Sequence, residues 1–230
     1  MINADTRNLL KQLKTVNNQM ILANDTYGCN EFKSILFKAN LGLVDDIPEE
    51  FGIFDMTNFV SALELLEDPE VTFNPETKVI TAKDGNSTLQ FLTSTPDSLD
   101  NVQINPKLIS STVAADSVFE CQITEDHLKQ VKKAQGVFKN FDTLWIDNTN
   151  GAEMKLGTKN SFSKSNNAFS IKLTDDINTK EFSISLPLES LMVLPDMDYT
   201  LRVKYNEERD AYRVVLDNAL LTFVLSLQKD

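Results

Sequence analysis

This 230-residue sequence predicts an α+β protein of two similar domains, each built from two βαβββ halves. Three observations carry that reading. Apolar residues fall into short alternating runs and a few amphipathic helical stretches. The pattern breaks near the middle, and the same order of elements then begins again. Finally, Leu10-Lys11-Gln12-Leu13-Lys14 matches Leu128-Lys129-Gln130-Val131-Lys132 at an offset of 118 residues.

The elements follow in order. Residues 6–17 place Leu9, Leu10, Leu13 and Val16 on one helical stripe, with Asp5 or Thr6 as the cap. Strand-like runs occupy 19–22, 27–32 and 34–40, with Asn24-Asp25 as a turn. A second helix over 56–67 is capped by Asp55, buries Phe59, Val60, Leu63 and Leu66, and ends at Asp68-Pro69. Runs at 70–73, 78–82 and 87–93 complete a first domain of residues 1–95. Residues 96–116, with Pro96, Asp97, Asn101, Asn105 and Pro106, hold no period and are expected to be a connector loop.

The second domain, 117–230, repeats the order. A strand at 117–123 precedes a helix over 125–140, capped by Thr124, with Leu128, Val131, Gln135 and Phe138 inward. Strands follow at 143–147, 152–157, 168–173 and 181–186, and Phe182-Ser183-Ile184 parallels Phe51-Gly52-Ile53. A short helix over 188–194 with Pro187 in its first turn leads to strands at 199–205, 212–217 and 220–227.

Composition narrows the function. Seven glycines form neither phosphate-cradling motif, and the two cysteines, Cys29 and Cys121, are too far apart for a CxxC pair, so a reducing compartment fits. Residues 1–10 include Asp5 and no apolar segment, so no signal peptide is expected. The apolar stretch 219–227 is less than half of the ~20 residues that span a bilayer. The single histidine, His127, sits beside Glu125 and Asp126, where acids at a helix start read as dipole complements rather than a catalytic site. Asp175-Asp176 beside Ile177-Asn178 reads as a turn rather than a metal site.

The net charge is −12, yet two helices carry basic stripes: Arg7, Lys11 and Lys14 on one, Lys129, Lys132 and Lys133 on the other. A single stripe would read as a solvated face. Two at equivalent repeat positions in an acidic chain point to one shared ligand, and phosphate backbone fits because its contacts are electrostatic and sequence-independent. Aromatic residues do not interleave the stripes, so base stacking is not indicated.

Residues 9–22 (LLKQLKTVNNQMIL), 51–73 (FGIFDMTNFVSALELLEDPEVTF) and 182–203 (FSISLPLESLMVLPDMDYTLRV) carry a resemblance to the DNA clamp family, in particular the sliding clamps of T-even-type bacteriophages. The resemblance implies the DNA clamp fold, with helices lining a hole and antiparallel sheets outside. It implies a homotrimeric ring and no catalysis, cofactor or metal. Its implied partners are duplex DNA without sequence specificity, a replicative DNA polymerase, a clamp-loader ATPase and transcription factors. No membrane is involved, and the expected location is the cytoplasm of an infected bacterial host. The six basic residues would face DNA. Subunits would join along 87–93 and 168–173, where Leu89, Phe91, Phe169 and Ile171 alternate with polar residues. A partner peptide would be anchored by residues drawn from Phe32, Val102, Ile104, Leu108, Leu225 and Leu227, although core packing is the commoner role for such side chains. The rival reading is a non-enzymatic structural or adaptor protein of a phage particle, which explains sheets and oligomerisation but not the paired stripes.

Overall fold

Asn3 starts the first helix: its Oδ1 accepts the Thr6 amide at 2.8 Å. Helix α1 spans Ala4–Leu13 and buries Leu9, Leu10 and Leu13, so the cap precedes the expected Asp5 or Thr6 and the helix ends before residue 17. The computed structural model describes residues 2–42, 50–99, 102–149, 151–158, 168–175, 181–207 and 210–227. The chain forms two compact units, Met1–Pro106 and Lys107–Asp230.

In the first unit, β1 (Met20–Leu22), β2 (Asp25–Cys29), β3 (Ile35–Asn40) and β4 (Phe51–Ile53) follow α1. Then come α2 (Met56–Leu63), β5 (Glu70–Asn74), β6 (Val79–Asp84) and β7 (Ser87–Leu92). All pairings are antiparallel: β4 on β1, β2 on β3, and β5-β6-β7 in order. As expected, Asp55 caps α2, accepting the Asn58 amide at 2.9 Å. Asn18 also receives this helix start, its backbone oxygen accepting from Met56 and its Oδ1 from Thr57. Phe59 of α2 meets Phe91 of β7 edge-on at 5.0 Å, and Phe51 stacks on Phe73 at 5.1 Å, which fixes the core of this unit. Gly28 lies opposite Phe37, and a Cβ there would stand 2.5 Å from the ring, so only glycine fits beneath it.

The stretch 96–116 is not a bare loop. A 3₁₀ turn occupies Pro96–Ser98 and a third helix, α3, spans Pro106–Ala114. Pro106 supplies the preset φ favoured at a helix start. Leu108, Ile109, Thr112 and Val113 recur at helical spacing, but over only nine residues between loop-forming neighbours, and of them only Ile109 is buried.

The second unit holds β8 (Ser117–Ile123), α4 (Glu125–Val137), β9 (Thr143–Asp147), β10 (Ala152–Gly157) and β11 (Phe169–Thr174). After these come β12 (Ser183–Pro187), α5 (Leu188–Met192), β13 (Tyr199–Asn206), β14 (Ala211–Asp217) and β15 (Leu221–Leu225). One sheet runs β11-β10-β9-β12, and β8 pairs with β13, β13 with β14 and β14 with β15. Thr124 caps α4 as expected, and His127 completes a capping box, its Nδ1 accepting the Thr124 amide at 3.3 Å. Ala134, rather than Gln135 or Phe138, takes the third inward position; Phe138 stacks on Phe141 at 4.7 Å beyond the helix end. Pro187 closes β12 and stands at the cap of α5 rather than inside it.

The two units repeat in topology. The strand that opens one half pairs with the first strand after the helix of the other half: β4 on β1, β12 on β9, β8 on β13. This exchange interlocks the halves, since neither sheet is complete from one half alone. Three of the four halves show the full βαβββ order; the first begins at its helix among the described residues. Residues 159–167 and Asp176, Ile177 and Asn178 lie outside the described residues.

Candidate functional site

The basic stripes of α1 and α4 divide into two kinds of residue. Arg7 turns toward α2, where Nη1 donates to the Leu66 carbonyl at 2.9 Å and Nη2 to the Glu67 carbonyl at 2.7 Å. Lys132 does the same in the other unit, donating to the Leu194 carbonyl at 2.7 Å and pairing with Asp196 at 2.5 Å. Leu66, Glu67 and Leu194 lie in the turns that follow α2 and α5, two to four residues past the last helical residue, so each cation sits near the negative end of a helix dipole, where it is favoured. These two residues are therefore pins between helices, which the stripe pattern did not reveal.

The other four are more available. Lys11 pairs with Glu64 at 2.6 Å while remaining 55 % exposed, and Lys129 pairs with Glu125 one turn earlier. The Lys11 hydrogen bond, with the charges of Lys11 and Lys14, holds the Glu64 carboxyl below its usual range. The hydrogen bond that Lys129 donates to Glu125 raises the Lys129 ammonium above its ordinary value. Lys14 is half-buried and Lys133 exposed. Exposed ion pairs are worth only ~0–1 kcal/mol, so a phosphate can replace either carboxylate at little cost. The surface can thus offer cations to a polyanion without fixed donors aimed at any one base.

Both strands expected at subunit edges are edge strands. β7 pairs only with β6, and β11 only with β10, among the described residues. Leu89 and Phe169 are half-buried, and Ile171 is buried. Phe91, half-buried like Leu89, meets Phe59 of its own unit edge-on at 5.0 Å.

The expected peptide anchors differ in exposure. Val102 and Leu225 are 2 % and 0 % exposed and are core side chains, because their apolar surface is already covered. Phe32 is 78 % exposed at the β2–β3 turn, and Leu108 is exposed on α3. Leu227 is half-buried past β15. Ile104 lines a cavity of about 280 Å³ together with Ile21, Ala23, Tyr27, Pro96 and Pro106, and Asp25, Glu50 and Asp97 stand on its polar side. Ile21 and Tyr27 carry no sequence signal, because half-buried strand residues look alike whether or not a cavity adjoins them.

His127 is spent on the helix cap, and burial pushes the Cys121 thiol up to about 12. Among the described residues, no cluster of three His, Cys, Asp or Glu side chains is placed to hold a metal, and no helix is long and apolar enough to cross a membrane.

No family model matches the chain. It is 24 % identical over 203 residues to the sliding clamp of Vibrio phage KVP40, covering 88 % of this chain and 89 % of that one. Its fold is similar to that of A. fulgidus PCNA bound to the C-terminal region of FEN-1, with TM-score 0.66, 12 % identity and coverage of 98 % and 95 %. Entamoeba histolytica Proliferating Cellular Nuclear Antigen gives TM-score 0.66, 14 % identity and coverage of 98 % and 95 %. The Streptococcus pneumoniae DNA polymerase III beta chain gives TM-score 0.61 and 14 % identity over 97 % of this chain and 64 % of that one. The chain has the DNA clamp fold.

Proposed function

We infer that this chain is a sliding clamp, a DNA polymerase processivity factor that closes as a homotrimer around duplex DNA. The observation that carries the inference is the clamp fold running through 98 % of the chain, joined to a phage sliding clamp that is similar along 88 % of it. A structural or adaptor role in a phage particle is not favoured, since clamps account for both likenesses.

The mechanism is topological. A ring linked to DNA stays on it without tight binding, and a polymerase held by the ring remains at high effective concentration near the primer end. A moderate cation supply suits this task. Exposed lysines screened by neighbouring carboxylates attract the backbone but do not lock onto it. In this reading Lys11, Lys14, Lys129 and Lys133 face the DNA, and Arg7 and Lys132 hold the helices that present them. Subunits join along β7 and β11. Residues 1–95 and 117–230 are the two clamp domains, linked by 96–116. The cavity beside Ile104 takes a terminal segment of the polymerase, the loader or a transcription factor. The protein works as a scaffold rather than an enzyme, in the cytoplasm of the infected host.

The test is retention on DNA. Loaded by its own ATPase onto nicked circular DNA, the protein should stay bound through gel filtration and be released when the circle is linearised. Equal retention on circular and linear DNA would overturn the reading.

A further inference from the structure

The cavity beside Ile104 is built on fixed backbone. Ile21 of β1 lies opposite Gly52 of β4, and Gly52 exchanges two backbone hydrogen bonds with Ser94, 2.8 Å each. The 3₁₀ turn begins at Pro96, and Gln103 closes that side of the rim, its Nε2 donating to the Pro96 carbonyl at 3.0 Å. On the strand side Thr26 pins the turn into β2. Its Oγ1 donates to the Ala23 carbonyl at 2.9 Å and accepts the Ala23 amide at 3.0 Å. Every lining residue is among the described residues and belongs to the first unit.

The lining is two-sided. Ile21, Ile104, Pro96 and Pro106 supply apolar surface, and Asp25, Glu50 and Asp97 supply carboxylates. One of the three acids is already engaged: Lys38 stands 3.2 Å from Asp25 and 5.7 Å over the centre of the Tyr27 ring. Glu50 and Asp97 are exposed and have no ion-pair partner among the described residues. Two uncompensated carboxylates beside apolar walls match a side chain with a long apolar stem and a cationic head. Sites for drug-sized ligands start at about 300 Å³, so a volume of about 280 Å³ suits one such side chain. Arginine fits better than lysine. Its planar fork can serve two carboxylates and lie flat on a ring, whereas an ammonium is a strongly hydrated point charge.

We propose that this cavity receives an arginine side chain carried on an extended segment of a partner protein. The stem packs against Ile21 and Ile104, and Glu50 and Asp97 share the guanidinium. The proposal rests on the reading of the cavity as a partner site and names the residue that the partner segment must carry.

The probe is an end-blocked pentapeptide of four alanines with a central arginine, titrated into the full chain without DNA. Carbon-13 labels on the isoleucine Cδ1 methyls report the location, and the control peptide carries citrulline, which keeps the shape of arginine and removes its charge. The arginine peptide should shift the Ile21 and Ile104 methyls and bind about fivefold or more tighter than the citrulline peptide. Glu50→Gln with Asp97→Asn should weaken the arginine peptide by about fivefold or more. Glu70→Gln with Glu76→Gln, which removes two exposed acids elsewhere on the same unit, should change it by less than about twofold. Equal binding of the two peptides, equal effects of the two double variants, or shifts that spare Ile21 and Ile104 would overturn the proposal. Retention on circular DNA is read separately, with no peptide present. Loss of peptide binding with retention intact strikes this proposal alone, and loss of retention with peptide binding intact strikes the clamp reading alone.

Discussion

The guanidinium of Arg7 donates to the carbonyl oxygen of Leu66 across 59 residues of sequence, at 2.9 Å. Lys132 and Leu194 repeat the relationship in the second unit at 2.7 Å. The pairing makes these two cations structural where their neighbours on the same helices are not. Arg7→Ala and Lys132→Ala should each destabilise their unit by about 1–2 kcal/mol, because a charged donor to a part-buried carbonyl is lost. Lys133→Ala should change stability by less than about 0.5 kcal/mol. Urea midpoints of the three variants decide this, and equal shifts would remove the distinction.

Replacing the remaining cations should separate DNA loading from folding. The quadruple change Lys11→Glu, Lys14→Glu, Lys129→Glu and Lys133→Glu leaves Leu10, Leu13, Leu128 and Val131 in place under the sheets. Loading onto circular DNA should fall at least tenfold in low salt, with the gap to wild type narrowing as salt screens the charges. Lys83→Glu, at an exposed lysine of β6, is the control and should matter little. Lys204 is unsuitable for that purpose although it lies on a strand: it is 6 % exposed and donates to the Val113 carbonyl at 2.9 Å and to Ala115 beyond α3. Equal losses from the two charge reversals would show that total charge, and not the helix face, governs loading.

A carboxylate placed on either edge strand should split the ring. Leu89→Asp and Phe169→Asp each put a charge into a surface that pairing would dry, at a cost of several kcal/mol. Folded monomers in sedimentation velocity are expected for both. Phe91→Asp should instead lower stability, since that ring packs on Phe59 within the unit. Intact trimers from the first two variants would move the interface elsewhere.

Acid should expose the role of Asp147. Burial pushes its carboxyl up, but hydrogen bonds from the Thr149 amide and hydroxyl, with the Lys155 charge, outweigh that and hold it below the ordinary 3.8. The folded chain therefore releases this proton more readily than the unfolded chain. The resulting stability is complete above the ordinary carboxylate range and is lost as pH falls through the folded value. The gap in urea midpoint between wild type and Asp147→Asn should be widest near neutral pH and shrink as pH is lowered toward about 3. A gap that widens on acidification would show that the carboxylate is not held in its charged form.

Local periodicity by itself determined much of this protein. Leu10 and Leu128, and Leu13 and Val131, share the matched sequence and are all fully buried. Asp55 and Thr124 cap the helices they precede, and the alternating runs around Val71 and Phe73 are strands with those residues inward. Such features are written in neighbouring residues, because burial on one face leaves a 3.6 or 2.0 repeat and a cap acts within one turn. Tertiary structure alone decided the rest. The backbone partners of Arg7 and Lys132 come from distant segments, so a basic stripe looks the same whether it meets solvent or a helix end. Helix α3 buries only Ile109, so its short apolar stripe does not show what the segment packs against. Gly28 is required by the ring of Phe37 across the β2–β3 pair, a contact set by the register of the two strands and not by the pattern of either. Sheet order is invisible in sequence for the same reason: pairing partners are set by the folding of the whole unit rather than by the strand's own residues.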